Sequence, residues 1–122
     1  MKYTQLVRLI FSNTDGTASV NFTDVFFPVK KIVVSNAFYS TTTPQQTNPT
    51  LIMAIETNIF SNHKPVVIVP INGNKPCDTV IHFERETNIM GNKIFWVRNM
   101  NTGFYGPFAN TDTCSMIMEF SD

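Results

Sequence analysis

A chain of 122 residues with nine basic and nine acidic side chains has no formal net charge, so it lacks the field that draws proteins to nucleic acid. Its 43% hydrophobic against 15% charged content excludes a disordered segment, and its length fits one domain, residues 1–122, able to bury about two-thirds of its unfolded surface. Leucine occurs only at Leu6, Leu9 and Leu51 and alanine only at Ala18, Ala37, Ala54 and Ala109, against eleven phenylalanines. Aromatic and β-branched side chains fit a pleated surface and lose freedom in helices, so this is strand composition.

In chain order, Tyr3 to Phe11 alternates, with Tyr3, Val7, Leu9 and Phe11 on one face, and Asn13-Thr14-Asp15-Gly16 turns it. Val20 to Phe27 follows and stops at Pro28, which has no N–H for a ladder. Lys31 to Tyr39 is the third strand. The polar loop STTTPQQTNPT after it is too rich in Thr, Gln and Pro to pack internally. Leu51 to Ile59 sets Leu51, Met53 and Ile55 against Ile52, Ala54 and Glu56; with both faces largely apolar, this strand should be central. Val66 to Ile71, interrupted by Pro70 and followed by Asn72-Gly73-Asn74-Lys75-Pro76, reads as an edge strand. Thr79 to Glu86, Lys93 to Arg98 and Ser115 to Phe120 complete the set, the last with Met116, Met118 and Phe120 on one face.

About eight such strands and no sustained helical period predict an all-β fold, an antiparallel β-sandwich. The jelly roll is the first choice. An immunoglobulin-like sandwich is second, because its Cys and Trp spacing is missing and Pro76-Cys77-Asp78 reads as a turn. The start MKYTQLVRLIF has no long apolar stretch and no run approaches the ~18 residues of a membrane helix. Those features predict no membrane insertion, a cytosolic origin, and buried free thiols at Cys77 and Cys114 rather than a bridge.

Reactive constellations are hard to assemble. His63 lies in a polar turn and His82 between Ile81 and Phe83; Cys77, Asp78 and His82 have no recognised ligand spacing for a metal. A Cys77 or Cys114 nucleophile with His82 as base lacks an electropositive, glycine-framed setting. Glu84 and Glu86 share one face of a strand, and neither they nor Asp112 and Glu119 suggest two carboxylates facing each other across a substrate. Gly91, Gly103 and Gly106 read as turns rather than a phosphate loop, and Lys30, Lys31, Lys75 and Lys93 are too dispersed to follow a phosphate backbone. Asn21-Phe22-Thr23 matches the glycosylation pattern but falls in a strand of a chain without a leader. The expectation is no enzyme, no cofactor, no metal and no nucleic acid.

One stretch is unusual: FWVRNMNTGFYGPF, residues 95–108. Ile94, Trp96 and Arg98 share one strand face and Phe95 and Val97 the other, and Asn101-Thr102-Gly103 supplies a positive-φ reversal. Trp96 reads first as a core residue. Phe104, Tyr105 and Phe108 flank Gly106-Pro107 in a connection where they cannot all face one core, and clustered exposed aromatics mark contact surfaces. Tyr39, Trp96, Phe104, Tyr105 and Phe108 form the candidate interaction surface.

The segments Ile94 to Gly103, Gly106-Pro107-Phe108 and Ser115 to Phe120 resemble the closing strands of single jelly-roll virion proteins, the penton and minor capsid type of double-stranded DNA viruses and virophages. Val29 to Val34 and Leu51 to Glu56 are similar in character to earlier strands of that family. The resemblance implies a building block without catalytic residues that assembles as a homo-oligomer, a trimer or pentamer, with other capsid proteins in a virion. The chain is short for a penton base, a departure from the family that leaves a cement, spike-base or fibre-head role equally open. The alternative from the residues themselves is a carbohydrate- or receptor-binding module, in which Tyr39, Phe104, Tyr105 and the loop Thr41 to Thr50 grip a glycan or peptide.

Overall fold

The computed structural model describes residues 1–12, 15–41, 51–60, 64–75, 78–108 and 111–122. Among them nine strands form: β1 (Lys2–Ile10), β2 (Thr17–Phe22), β3 (Val29–Ser40), β4 (Ile52–Thr57), β5 (Pro65–Pro70), β6 (Asn74–Lys75), β7 (Thr79–Thr87), β8 (Gly91–Asn99) and β9 (Thr113–Ser121). The expected strands are all present, with two differences. The second ends at Phe22 instead of Phe27, although Val25 and Phe27 still bury their side chains from the irregular segment beyond it. The two-residue β6 falls inside what reads as a turn, because Asn74 and Lys75 pair with Phe38 and Ala37 rather than reversing the chain locally.

Antiparallel ladders join β1 to β9, β2 to β8, β3 to β7 and β4 to β5. The first four strands therefore pair with the later ones in reverse order, as in one long hairpin. Rolling that hairpin sets β9 on the other edge of β3 and β8 on the other edge of β4. β6 lies end to end with β7 along β3, against Ala37 and Phe38 where β7 faces Val29 to Val34. Two sheets of four positions result, β1-β9-β3-β7 and β2-β8-β4-β5. This is the jelly-roll order; the immunoglobulin order, in which four strands face a separate three, is not found. β4 is central and β5 is an edge, as their sequences require.

The core lies between the sheets and follows period-two alternation. β9 shows it most fully: Cys114, Met116, Met118 and Phe120 are each fully buried between β1 and β3. Phe120 meets Phe22 of the opposite sheet edge-to-face, with ring centroids 5.5 Å apart, an arrangement favoured by the ring quadrupoles. Cys114 is a free thiol; Cys77 lies outside the described residues.

One interruption of the alternation matters later. β3 buries Ile32 and Val34, and the same parity would bury Asn36 and Phe38. A β-bulge between Ser35 and Phe38, with Asn36 in the left-handed region at φ 52°, shifts the register against β9. After it, Ala37 and Tyr39 point inward.

Candidate interaction surface

The structure separates the five nominated aromatic residues. Phe104 and Tyr105 are exposed, at 76% and 55%. Trp96 is half-buried on the outer face of its sheet, and the core positions of β8 are Phe95 and Val97, which overturns the core reading of Trp96. Phe108 is half-buried and packs against the core cluster. Tyr39 is fully buried, so it belongs to no contact surface and cannot grip a ligand. The bulge at Asn36 is the reason: strict alternation would have carried Tyr39 outward with Val33 and Ser35. The Thr-rich loop invoked beside it, residues 42–50, lies outside the described residues, as does His63.

The aromatic loop is built by β8 folding back on itself. Gly103, at φ 78°, donates its N–H to the Asn99 carbonyl at 2.7 Å; Asn99 N–H donates to the Phe104 carbonyl at 2.9 Å. Gly106 N–H then donates to the Val97 carbonyl at 2.9 Å, which lays Tyr105 beside Arg98 as an isolated antiparallel bridge. The predicted reversal at Asn101-Thr102-Gly103 is thus present. On the same edge of β8 Val97 N–H donates to the Gly16 carbonyl, and a Cβ placed on Gly16 would come within 2.7 Å of Gly106 Cα. Two glycines let the backbones touch, so the loop continues the edge that β2 leaves short.

Beneath Tyr105 sits a charged cluster. Glu56 on β4 is only 4% exposed and faces Trp96 across the ladder. Its Oε2 lies 3.0 Å from Arg98 Nε, and its Oε1 accepts the Tyr105 hydroxyl hydrogen at 2.7 Å. The Arg98 guanidinium lies 5.9 Å from the centre of the Tyr105 ring. The hydrogen bond to Glu56, with burial adding to it, holds the Tyr105 phenol above its ordinary pKa. Sequence offered one signal for this cluster: a lone acid in an otherwise apolar central strand must find a partner. The cluster orients Tyr105 but contains no nucleophile or base set against an open space.

A second polar pair lies inside. Tyr39 donates its hydroxyl hydrogen to Asp112 Oδ2 at 2.6 Å and accepts from Phe108 N–H at 3.5 Å. Burial first, then the bond to Asp112, raises the Tyr39 pKa far above its usual value. Asp112 is therefore a structural group, distant in role from Glu119, which reaches Lys2 at 3.6 Å on the surface. His82, Glu84 and Glu86 are exposed on the outward face of β7. Among the described residues no three His, Cys, Asp or Glu side chains converge to hold a metal ion, and no helix is long and apolar enough to cross a membrane.

The outer face of the β1-β9-β3-β7 sheet is a surface that the aromatic clue did not reveal. The registers place Leu6 beside Ile117 and Ser35, and Thr4 beside Glu119, Val33 and Val80. Leu6 is 69% and Ile10 59% exposed. The rest of the face is mixed: hydroxyl residues at Thr113, Ser115, Ser121 and Ser40, and charged or ionisable ones at Lys2, Arg8, Lys31, Glu119, His82, Glu84 and Glu86. No protein-family model, curated protein or solved structure matches this chain.

Proposed function

We propose that the protein is a structural component of a virus particle, a penton, minor capsid, cement or spike-base subunit. In this reading it works by burying its surface against copies of itself and against neighbouring capsid proteins. The observation that carries the proposal is the outer face of the β1-β9-β3-β7 sheet, where Leu6, Ile10 and Val80 stand exposed with Ile117 and Val33 beside them. Charged side chains share this face at Lys2, Arg8, Lys31, Glu119, Glu84 and Glu86, and the apolar residues standing exposed among them are the part suited to a partner. The jelly-roll order and the resemblance of residues 94–120 to single jelly-roll virion proteins support the same reading. Fold alone would not, since one fold hosts many functions.

The expected assembly is a trimer or pentamer made in the cytoplasm and incorporated in the virion. It uses no catalytic residue, cofactor or nucleic acid. Gel filtration with light scattering tests it: a defined oligomer is expected, and a chain that stays monomeric at high concentration and is missing from purified particles contradicts it.

A second reading rests on Phe104 and Tyr105. Their exposed rings, with Tyr105 fixed by Glu56, could stack on a sugar or a receptor peptide. Specific binding on a glycan array that disappears with Phe104→Ala favours this reading; silence across the array removes it.

A further inference from the structure

We infer that β1 is a self-pairing edge: two copies of the chain join through antiparallel β1–β1 contact about a twofold axis at Leu6, fusing two four-strand sheets into one of eight. The inference rests on the self-association reading above and adds to it: a trimer or pentamer closes through heterologous contacts, and the isologous β1 contact joins a subunit of one such ring to a subunit of the next.

Of the edge strands among the described residues, β1 is the least guarded, its charges confined to Lys2 and Arg8 away from its centre. β5 is bracketed by Pro65 and Pro70, and β7 exposes His82, Glu84, Arg85 and Glu86. β2 has six residues and exposes only Ser19 and Asn21. β1 runs for nine residues without proline, glycine or bulge, in unbroken register with β9, and exposes Leu6 at its centre and Ile10 at its end alongside Lys2, Thr4 and Arg8. Proline, charge, shortness and bulges are how proteins block edge pairing.

The pattern of backbone groups fixes the register. Phe11 N–H donates to the Asp112 carbonyl and Asp122 N–H to the Met1 carbonyl, so odd-numbered residues of this segment form the bonded pairs with the β9 side. Bonded and non-bonded pairs alternate in an antiparallel ladder. The N–H and C=O groups of Lys2, Thr4, Leu6, Arg8 and Ile10 therefore point to the free edge, and no hydrogen bond from the described residues reaches them. An antiparallel partner that uses all five must set Lys2 opposite Ile10, Thr4 opposite Arg8 and Leu6 opposite Leu6. That arrangement is its own twofold image, as an isologous contact requires, and supplies about ten backbone hydrogen bonds.

Charge agrees with this register. The cations of β1 are Lys2 and Arg8, and neither lies directly opposite a like charge across the axis; they meet only on the diagonal, where Glu119, 3.6 Å from Lys2, offsets the repulsion. On the outer face the centre becomes a continuous apolar row, Ile117, Leu6, Leu6 and Ile117, two from each copy. Neutral or apolar cross-strand pairs stabilise a ladder, whereas opposed like charges would block it.

Disulfide trapping in a Cys77→Ser background tests the register, because a bonded antiparallel pair has Cα atoms about 5.5 Å apart, within the range a disulfide spans. Leu6→Cys is expected to form a covalent dimer readily on mild oxidation. Thr4→Cys is not, since its two copies would lie about 14 Å apart, but a mixture of Thr4→Cys and Arg8→Cys should cross-link. By light scattering, Leu6→Lys should raise the concentration at which copies dissociate at least tenfold, and an equimolar mixture with Leu6→Glu should restore association. Oligomers that ignore Leu6→Lys, or Thr4→Cys cross-linking as well as Leu6→Cys, overturn the β1 contact and leave self-association standing. A monomer under every condition overturns both.

Discussion

Asn36 shows how much one residue decides. Its left-handed backbone, tolerated by Asn better than by most side chains, inserts the bulge that turns Tyr39 from the surface into the core. There the Tyr39 hydroxyl meets Asp112 at 2.6 Å. Tyr39→Phe leaves a buried Asp112 oxygen without that donor and should cost roughly 2–3 kcal/mol in urea denaturation. Adding Asp112→Asn should cost little more, because the two residues act as one pair. Burial likewise pushes the Cys114 thiol up to about 12 from an ordinary 9.0. Between those values the folded chain keeps a proton that the unfolded chain has released, so this contribution is complete below pH 9 and is lost as pH rises towards 12. Cys114→Val should therefore lose stability less steeply than the parent over that window, measured as urea midpoints. In a Cys77→Ser background the native thiol should resist a disulfide reagent at pH 8 and react only on unfolding.

At the scale of elements, β8 and the loop after it form one unit with β2. The contact of Gly16 with Gly106 locks the loop, and the Glu56–Arg98–Tyr105 cluster locks it again from the β4 side. Gly16→Ala forces a Cβ to 2.7 Å from a backbone atom at φ 67° and should cost about 3 kcal/mol. Gly103→Ala meets open space and bears only the φ 78° penalty, about 1 kcal/mol. Thermal unfolding distinguishes them; equal losses would show that the loop is not held by the glycine contact. Glu56→Ala should cost about 2 kcal/mol, less than a fully buried pair because Arg98 is partly solvated, and should free the Tyr105 phenol to titrate nearer its ordinary value. The reversal at Asn101-Thr102-Gly103 was legible because only a few residue types accept positive φ. Which rings it would expose was not, since that depends on the carbonyls of β8 and on Gly16, distant in the chain.

For the whole molecule, rolling makes β9 indispensable. It pairs with β1 on one side and β3 on the other and contributes four fully buried side chains. Removing residues 113–121 should abolish cooperative unfolding and the near-ultraviolet signal of packed aromatics. Because each early strand finds its partner late in the chain, folding should be slow, in the range of milliseconds to seconds by stopped-flow fluorescence of Trp96. Relaxation within microseconds would contradict the rolled pairing.

By itself the sequence determined strand composition, the positions of nearly every strand, the central place of β4 and the edge place of β5. These follow from side-chain shape and from an alternation that any pleated strand must obey. Tertiary structure decided what lies on the surface. The inward turn of Tyr39 and the outward face of Trp96 depend on a bulge and on which sheet face meets the core. The pairing of Glu56 with Arg98 and the open edge of β1 depend on which strands become neighbours. A periodic pattern specifies two faces of a strand; only packing chooses which of them meets water.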